Sequence, residues 1–219
     1  MKKAVIFDLD GTLLYTLEDL ADSVNYALSL FGLCKCSVEQ VRSFVGNGVE
    51  SLMRKAVSIE NGLLSEIDFQ NCLRVFKEHY RINMRNKTCP YDGVVALLKV
   101  LKIRGMKIAV VSNKFDIAVK DLCEFYFGYL IDIAVGESVN IAKKPAPDGV
   151  FSVIKEFDLS VEDCIYIGDS EVDIQTAKNA KMDCILVDWG YKDRNFLQDN
   201  GARFIVSSVS ELQNALLNK

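Results

Sequence analysis

The hydrophobic pattern at the start of the chain predicts a strand that is buried on both faces. Ala4–Phe7 form an unbroken apolar run, which is typical of a central strand in a parallel sheet. The run stops at Asp8, and Asp10 follows two residues later. Because residues i and i+2 of an extended chain point to the same side, we expect the two carboxylates to lie close together. Gly11 then permits a sharp exit from the strand, and Thr12 supplies a hydroxyl and an amide near the carboxylates.

A long helical stretch is predicted directly after this strand. Residues 15–86 carry apolar side chains at helical spacing and show no alternation of the kind that strands produce. Two N-terminal capping boxes are predicted within it, one from Thr16 to Asp19 and one from Ser37 to Gln40. We therefore predict that this stretch forms an all-helical domain inserted into the rest of the chain.

From Pro90 onward, predicted helices and strands alternate. The strands are expected at residues 107–111, 131–135, 164–167, 184–187 and 204–206. Strands that alternate with helices favour the α/β class and a doubly wound, Rossmann-like parallel sheet. The predicted domains are therefore an α/β core of residues 1–14 and 87–219 and a helical cap of residues 15–86.

Polar side chains stand where the predicted strands end. In addition to Asp8 and Asp10, the candidates are Ser112, Asn113, Lys114, Lys144 and Asp169. The carboxyl ends of parallel strands share one edge of a doubly wound sheet, so residues far apart in sequence are expected to meet there. Two close carboxylates raise each other's pKa unless a cation lies between them. The pair at Asp8 and Asp10 thus implies a bound metal, a shared proton, or both.

The composition excludes several other classes of protein. The formal net charge of −4 argues against a nucleic-acid-binding protein. No apolar stretch reaches the roughly 18 residues of a membrane helix, and the early aspartates interrupt any signal sequence. The seven cysteines are odd in number and scattered, which is typical of reduced thiols. We expect a cytoplasmic protein with no nucleic-acid or membrane partner, and the sequence leaves its oligomeric state open.

Four motifs, in order, resemble those of the haloacid dehalogenase-like (HAD) hydrolases. DLDGTL at residues 8–13 resembles the first motif of that superfamily, and Ser112-Asn113-Lys114 resembles the second. Lys144, which directly precedes a proline, corresponds to the third, and the GDxxxD pattern of residues 168–173 corresponds to the fourth. Most members of the superfamily are phosphatases that work through an aspartyl-phosphate.

The resemblance implies a role for each of these residues. Asp8 is the expected nucleophile and Asp10 the general acid–base. Lys144 is expected to offset charge in the transition state. Thr12, Ser112 and the amide of Asn113 are expected to bind the phosphate.

The expected cofactor is Mg²⁺, which prefers oxygen ligands. Its ligands are expected to be an Asp8 oxygen, the Asp10 backbone carbonyl and Asp169. Asp173 is a candidate to hold a metal-bound water or to brace Lys144. An acidic residue at that place could equally serve the start of a helix.

The cap sequence narrows the resemblance to phosphoglycolate phosphatases. Their cap signature is similar to Val45-Gly46-Asn47-Gly48-Val49 of this chain. Asn47 and Gly48 precede a predicted helix whose N-terminus suits the carboxylate of a small substrate, although the glycines could serve only the turn. Lys114 and Arg54 are further cationic candidates. One departure is Tyr15, because many relatives carry a different residue at this hinge into the cap.

The sequence therefore predicts a Mg²⁺-dependent phosphatase that acts on a small phosphorylated metabolite and resembles phosphoglycolate phosphatase. Two alternatives remain open at this stage. A sugar-phosphate mutase of the β-phosphoglucomutase type shares the fold and both aspartates. A non-catalytic, metal-binding regulatory protein could use the same scaffold.

Overall fold

The computed structural model describes residues 2–59 and 63–217, and these divide between two compact units. One unit comprises Met1–Tyr15 and Pro90–Lys219, and the other comprises Thr16–Cys89. The predicted boundaries differ slightly, since the first was placed at residue 14 rather than 15 and the second at 86 rather than 89. Within the described residues, no helix combines the length and the apolar character needed to span a membrane.

The strands are β1 (Ala4–Phe7), β2 (Leu14–Tyr15), β3 (Cys89–Pro90), β4 (Lys107–Phe115), β5 (Ile133–Glu137), β6 (Cys164–Gly168), β7 (Asp183–Val187) and β8 (Ile205–Val206). The helices are α1 (Leu17–Leu30), α2 (Val38–Phe44), α3 (Val49–Val57), α4 (Glu66–Asn83), α5 (Val94–Ile103), α6 (Asp116–Phe127), α7 (Asp148–Phe157), α8 (Glu171–Ala180), α9 (Arg194–Asp199) and α10 (Val209–Leu217).

Six parallel strands form the sheet of the first unit, in the order β5-β4-β1-β6-β7-β8. The predicted α/β class and doubly wound sheet are confirmed. β1 lies at the centre, where Ala4 is in register with Lys107 of β4 on one side and Cys164 of β6 on the other. All four residues of β1 are fully buried, because helices cover both faces of a sheet of this kind. This burial explains the unbroken apolar run.

The strand order places a crevice at the end of β1. The chain proceeds from β1 to β4 and β5 on one side, and then crosses to β6 on the other side. Ligands of open α/β sheets bind where the strand order reverses in this way, outside the carboxyl ends of the strands. Asp8 follows β1 and Asp169 follows β6. The two carboxylates therefore lie on the two neighbouring strands that flank the switch point.

Helices α1–α4 make up most of the second unit, Thr16–Cys89. The predicted capping box of α2 is present, since the Ser37 side chain accepts from the Gln40 amide and Gln40 accepts from the Ser37 amide. The predicted box at Thr16 and Asp19 is wrong, because Thr16 forms no side-chain cap.

Asp19 instead accepts hydrogen bonds from the backbone amides of Lys87 and Thr88. Asp19 is buried, and these two amides give its carboxylate the hydrogen bonds that a buried charged acceptor requires.

Other differences concern element boundaries. β4 was expected to end at residue 111, but it continues through residues 112–114 to Phe115 with a shift of register. β5 begins at residue 133 rather than 131. Three of the elements were not predicted: α9 and the two short strands β2 and β3, which pair with each other. They lack the length that hydrophobic periodicity needs to become visible.

Candidate active site

The Asp8 carboxylate is buried at the end of β1 and is held by two donors. Lys144 Nζ lies 2.9 Å from Asp8 Oδ1, and the backbone amide of Leu9 donates to the same oxygen at 2.7 Å. Burial raises the pKa of Asp8 to about 7, and the neighbouring charges of Asp173 and Asp10 act in the same direction, while Lys144 opposes them. A positive charge close to this carboxylate favours its ionised form, and Lys144 is in that position.

Lys144 connects two carboxylates in the interior. Its Nζ lies 2.8 Å from Asp173 Oδ1 as well as 2.9 Å from Asp8 Oδ1, and only 3% of the side chain is exposed. Burial disfavours the charged ammonium, but the attraction of Asp173 and Asp8 outweighs it and raises the pKa of Lys144 well above its ordinary value. Lys144 is thus a fixed positive charge beside the expected nucleophile.

Asp173 both caps a helix and braces this lysine. Its Oδ2 accepts from the hydroxyl of Ser170 at 2.7 Å and from the amides of Ser170 and Asp169, within the capping box that begins α8. Its Oδ1 accepts from Lys144. Two of the roles considered for Asp173, the acid of a helix start and the brace of Lys144, are therefore combined in one side chain.

Asp169 is the second buried carboxylate of the crevice. Its Oδ2 accepts from the backbone amide of Tyr191 at 2.7 Å, and Thr12 Oγ1 lies 3.4 Å from its Oδ1. A Cβ at Gly11 or at Gly190 would collide with the Asp169 side chain, so both positions accept only glycine. The backbone approaches this carboxylate closely from both sides and leaves it one orientation.

The acidic cluster has a donor set that fits Mg²⁺. Asp8, Asp169 and Asp173 each offer a ligand oxygen, and these oxygens lie within 4.8 Å of one another. All are hard carboxylate oxygens, which Mg²⁺ prefers. Burial, together with the charges of Asp173 and Asp8, raises the pKa of Asp169 well above its ordinary value, as expected of carboxylates whose mutual repulsion a cation would relieve. Both oxygens of Asp173 already accept hydrogen bonds, Oδ1 from Lys144 and Oδ2 from Ser170 and the Asp169 amide. Asp8 and Asp169 are therefore the better placed ligands.

The three residues of the second motif have different partners. Ser112 Oγ accepts from the Lys114 amide at 3.3 Å. The Asn113 side chain binds the backbone of Lys144 at both ends, donating to its carbonyl at 2.9 Å and accepting from its amide at 2.7 Å. Lys114 Nζ binds both carboxylate oxygens of Asp10, at 2.8 and 2.9 Å. Asn113 therefore holds the loop of the third motif, and Lys114 holds Asp10.

The candidates of the second unit lie around α3. Gly48 precedes this helix with a φ of 85°, a value that favours glycine, and Asn47 lies in the turn before it. Arg54 binds Glu50 at 2.7 Å and Glu66 at 3.0 Å, and its guanidinium lies 4.0 Å from the centre of the Phe69 ring. Its charge is already compensated at the surface of this unit, which favours a structural role over substrate binding.

Tyr166 is the polar residue of the site that sequence reasoning missed. Its hydroxyl lies 3.1 Å from Lys144 Nζ and 3.1 Å from Asp173 Oδ1, and the residue is fully buried in β6. A signal was present, since a tyrosine in the middle of an apolar strand needs a partner for its hydroxyl. The partner itself could not be read from the strand pattern.

The fold and the site together define a class of protein. A doubly wound sheet carries two buried carboxylates at its switch point, and a buried lysine lies beside the one on the central strand. Hard anions such as phosphate, together with a divalent cation, suit an arrangement of this kind. The fold and site are those of an α/β enzyme of phosphoryl transfer.

The chain belongs to the haloacid dehalogenase-like hydrolases, whose family profile matches residues 5–187. A phosphoglycolate phosphatase of Psychrobacter arcticus is 33% identical over 204 residues, which cover 90% of this chain and 87% of the relative. Phosphoglycolate phosphatase 1 of Pseudomonas aeruginosa is 31% identical over 215 residues, which cover 97% of this chain and 79% of the relative.

A solved structure from Haemophilus somnus, described as a predicted phosphoglycolate phosphatase, superposes with a TM-score of 0.92 at 28% identity and covers 98% of both chains. The chain is thus a phosphoric monoester hydrolase that is similar to phosphoglycolate phosphatases.

Proposed function

We propose that this protein hydrolyses a small phosphate monoester in a Mg²⁺-dependent reaction, through an aspartyl-phosphate on Asp8, and that phosphoglycolate is the first substrate to test. The observation that carries the proposal is the position of Lys144 Nζ, which lies 2.9 Å from Asp8 at the switch point of the sheet. A nucleophilic carboxylate must approach an anionic phosphate, and a fixed ammonium offsets the repulsion between them.

The proposed reaction has two steps. First, a carboxylate oxygen of Asp8 bonds to phosphorus while the bond from phosphorus to the leaving oxygen breaks, and Asp10 gives that oxygen a proton. Then Asp10 takes a proton from water, whose oxygen attacks phosphorus and releases inorganic phosphate and the free Asp8 carboxylate. Ser112 and the Asn113 amide are proposed to bind the phosphoryl oxygens, as is Thr12.

Mg²⁺ would be held by Asp8, Asp169 and the Asp10 carbonyl, and when bound it supplies charge neutralisation between the phosphate and the carboxylates. The protein's own contribution is to hold those oxygens in place. The Tyr191 amide orients Asp169, and the Leu9 amide and Lys144 orient Asp8.

The choice of a carboxylated substrate rests on the named relatives and on the turn before α3. The relatives are named for phosphoglycolate, which has a carboxylate besides its phosphate. Gly48 opens α3 without a side-chain cap, and a helix N-terminus presents amides and a partial positive charge. We expect Asn47 and Gly48 to recognise the carboxylate.

The test is a panel of phosphate monoesters with Mg²⁺, run on the wild-type protein and on Asp8→Asn. Wild type should release inorganic phosphate, with the highest kcat/KM on phosphoglycolate. Asp8→Asn should lose about 10⁶-fold in turnover, because it lacks the nucleophile. The exposed Asp199→Asn is the matched control and should behave as wild type.

Two results would contradict the proposal. An Asp8→Asn protein that keeps a tenth of the wild-type rate would exclude the aspartyl-phosphate. Conversion of a sugar phosphate into its isomer, without net release of phosphate, would show a mutase instead.

A further inference from the structure

Lys114 makes a contact to which the reaction outlined above assigns no role. It lies near the end of β4, the strand next to β1, and its Nζ binds both oxygens of the Asp10 carboxylate at 2.8 and 2.9 Å. Only 2% of the Lys114 side chain and 11% of the Asp10 side chain are exposed. Lys114 was expected to bind the substrate, but it binds Asp10, the expected general acid–base.

Burial makes this pair more than a surface contact. Exposed lysine–carboxylate pairs are mobile and screened by water and salt, whereas a pair shielded from solvent keeps its geometry, because separation would leave two buried charges without compensation. The contact to both oxygens also fixes the plane of the carboxylate, which a single hydrogen bond would leave free to rotate. Lys114 thus determines where the two oxygens of Asp10 point.

The end of β4 holds two other residues of the site in place. Asn113 clamps the backbone of Lys144 from both sides, and Lys114 clamps the side chain of Asp10. Lys144 in turn contacts Asp8. Consecutive residues of one strand therefore set the positions of the lysine beside the nucleophile and of the acid–base.

We propose that Lys114 is a positioning residue for Asp10, rather than a ligand of the substrate. The inference rests on the proposed function, in which Asp10 gives a proton to the leaving oxygen and later takes one from water. Both transfers require the same carboxylate to be aimed correctly. A positioned general acid–base contributes about 10²- to 10⁴-fold to the rate of a step that moves a proton.

This role predicts a dependence on the leaving group. An alkyl leaving group, as in phosphoglycolate, needs the proton from Asp10 in the first step. A nitrophenolate is stable without it, so the first step with p-nitrophenyl phosphate does not depend on Asp10. The second step, attack by water, is common to both substrates and does depend on it.

The test compares wild type with Lys114→Met, which keeps the length of the side chain and removes its charge. On phosphoglycolate we expect kcat to fall about 10²- to 10³-fold with KM within threefold of wild type. On p-nitrophenyl phosphate we expect a rapid burst of about one nitrophenolate per active site, followed by slow turnover. Lys120→Met is the matched control, since Lys120 Nζ pairs with Asp116 at the exposed surface of α6, and it should behave as wild type.

A double variant tests whether the lysine acts through Asp10. Asp10→Asn with Lys114→Met should be no slower than Asp10→Asn alone, because residues that act as a unit are not additive. Should Lys114→Met fail to fold, as judged by circular dichroism, Lys114→Gln takes its place in both experiments.

Three results would overturn the inference. A raised KM for phosphoglycolate with unchanged kcat would make Lys114 a substrate ligand. Equal decreases in the burst rate and the steady-state rate of Lys114→Met on p-nitrophenyl phosphate would indicate a merely structural role. A double variant slower than Asp10→Asn alone would indicate the same. A wild-type protein that releases no phosphate from any ester would instead refute the proposed function, so the two failures are distinguishable.

Discussion

At the scale of single residues, Lys144 places a buried positive charge between two carboxylates of the site. Its ammonium contacts Asp8, Asp173 and the hydroxyl of Tyr166 in a nearly solvent-free environment. Three oxygen partners satisfy the three donors of a lysine. The side chain therefore has one arrangement, and its charge is in place before a substrate arrives.

This arrangement predicts the effect of removing the charge. Lys144→Met should lower kcat on phosphate esters by about 10²- to 10³-fold, the usual size for one preorganised donor or charge. Steady-state kinetics with Mg²⁺, at a temperature where circular dichroism shows a folded variant, measures the effect. The neighbouring Lys143 is exposed, so Lys143→Met should stay within threefold of wild type, and equal losses in the two variants would contradict the assigned role.

At the scale of elements, the ends of helices and strands do the positioning. α8 begins with a capping box whose acidic member, Asp173, also holds Lys144. A helix start is well suited to this, because its free amides fix the carboxylate while one oxygen remains available. The same element thus supplies helix stability and the geometry of the site.

The start of α3 is predicted to govern the choice of substrate. Asn47→Leu should raise KM for phosphoglycolate severalfold, because it replaces a polar group at the turn where we expect the carboxylate to bind. It should leave the hydrolysis of p-nitrophenyl phosphate nearly unchanged, since that substrate has no carboxylate. The comparison of KM for the two substrates measures the effect.

A suitable control for this experiment is Asn86→Leu, which makes the same change elsewhere in the second unit, at an exposed position. If Asn47→Leu raised KM equally for both substrates, the turn would have only a structural role. Equal changes in KM in the Asn47→Leu and Asn86→Leu variants would lead to the same conclusion.

At the scale of the whole molecule, the fold buries the carboxylates of Asp8 and Asp169 close together, which raises the free energy of their ionised forms. Burial and mutual repulsion raise the pKa of Asp8 and of Asp169, which means that their ionised forms are costly without a cation. Hydrogen-bond donors offset part of this cost: the Leu9 amide and Lys144 bind Asp8, and the Tyr191 amide binds Asp169. Gly11 and Gly190 close on Asp169, and β1 is buried among its neighbours.

A bound cation should therefore stabilise the protein. At a free Mg²⁺ concentration 100 times its Kd, ligand linkage adds about 2.7 kcal/mol to the free energy of unfolding, provided that only the folded state binds. Calorimetry of the chelator-treated protein should show Tm rising by several degrees on addition of Mg²⁺. Asp169→Asn should abolish the rise, whereas Asp199→Asn should keep it, and a full rise in Asp169→Asn would show that Mg²⁺ binds elsewhere.

The sequence by itself determined the class of fold and the neighbourhood of the site. The apolar run before Asp8 required a central strand, because four consecutive apolar residues need cover on both faces. The alternation of helix and strand after residue 90 required a parallel sheet, and parallel strands bring their carboxyl ends to one edge. Asp8 and Asp169 could therefore be placed at the same edge of one sheet although they are distant in the chain.

Only the tertiary structure decided which side chain binds which. The spacing of Asp19 from Thr16 suited a capping box, but the amides of Lys87 and Thr88 bind that carboxylate. Lys114 was expected at the substrate, yet it binds Asp10. In each case the partner comes from another element, and its distance depends on strand register and loop path. Local periodicity encodes which face a residue occupies, whereas the identity of its partner across that face is set by the packing of the whole fold.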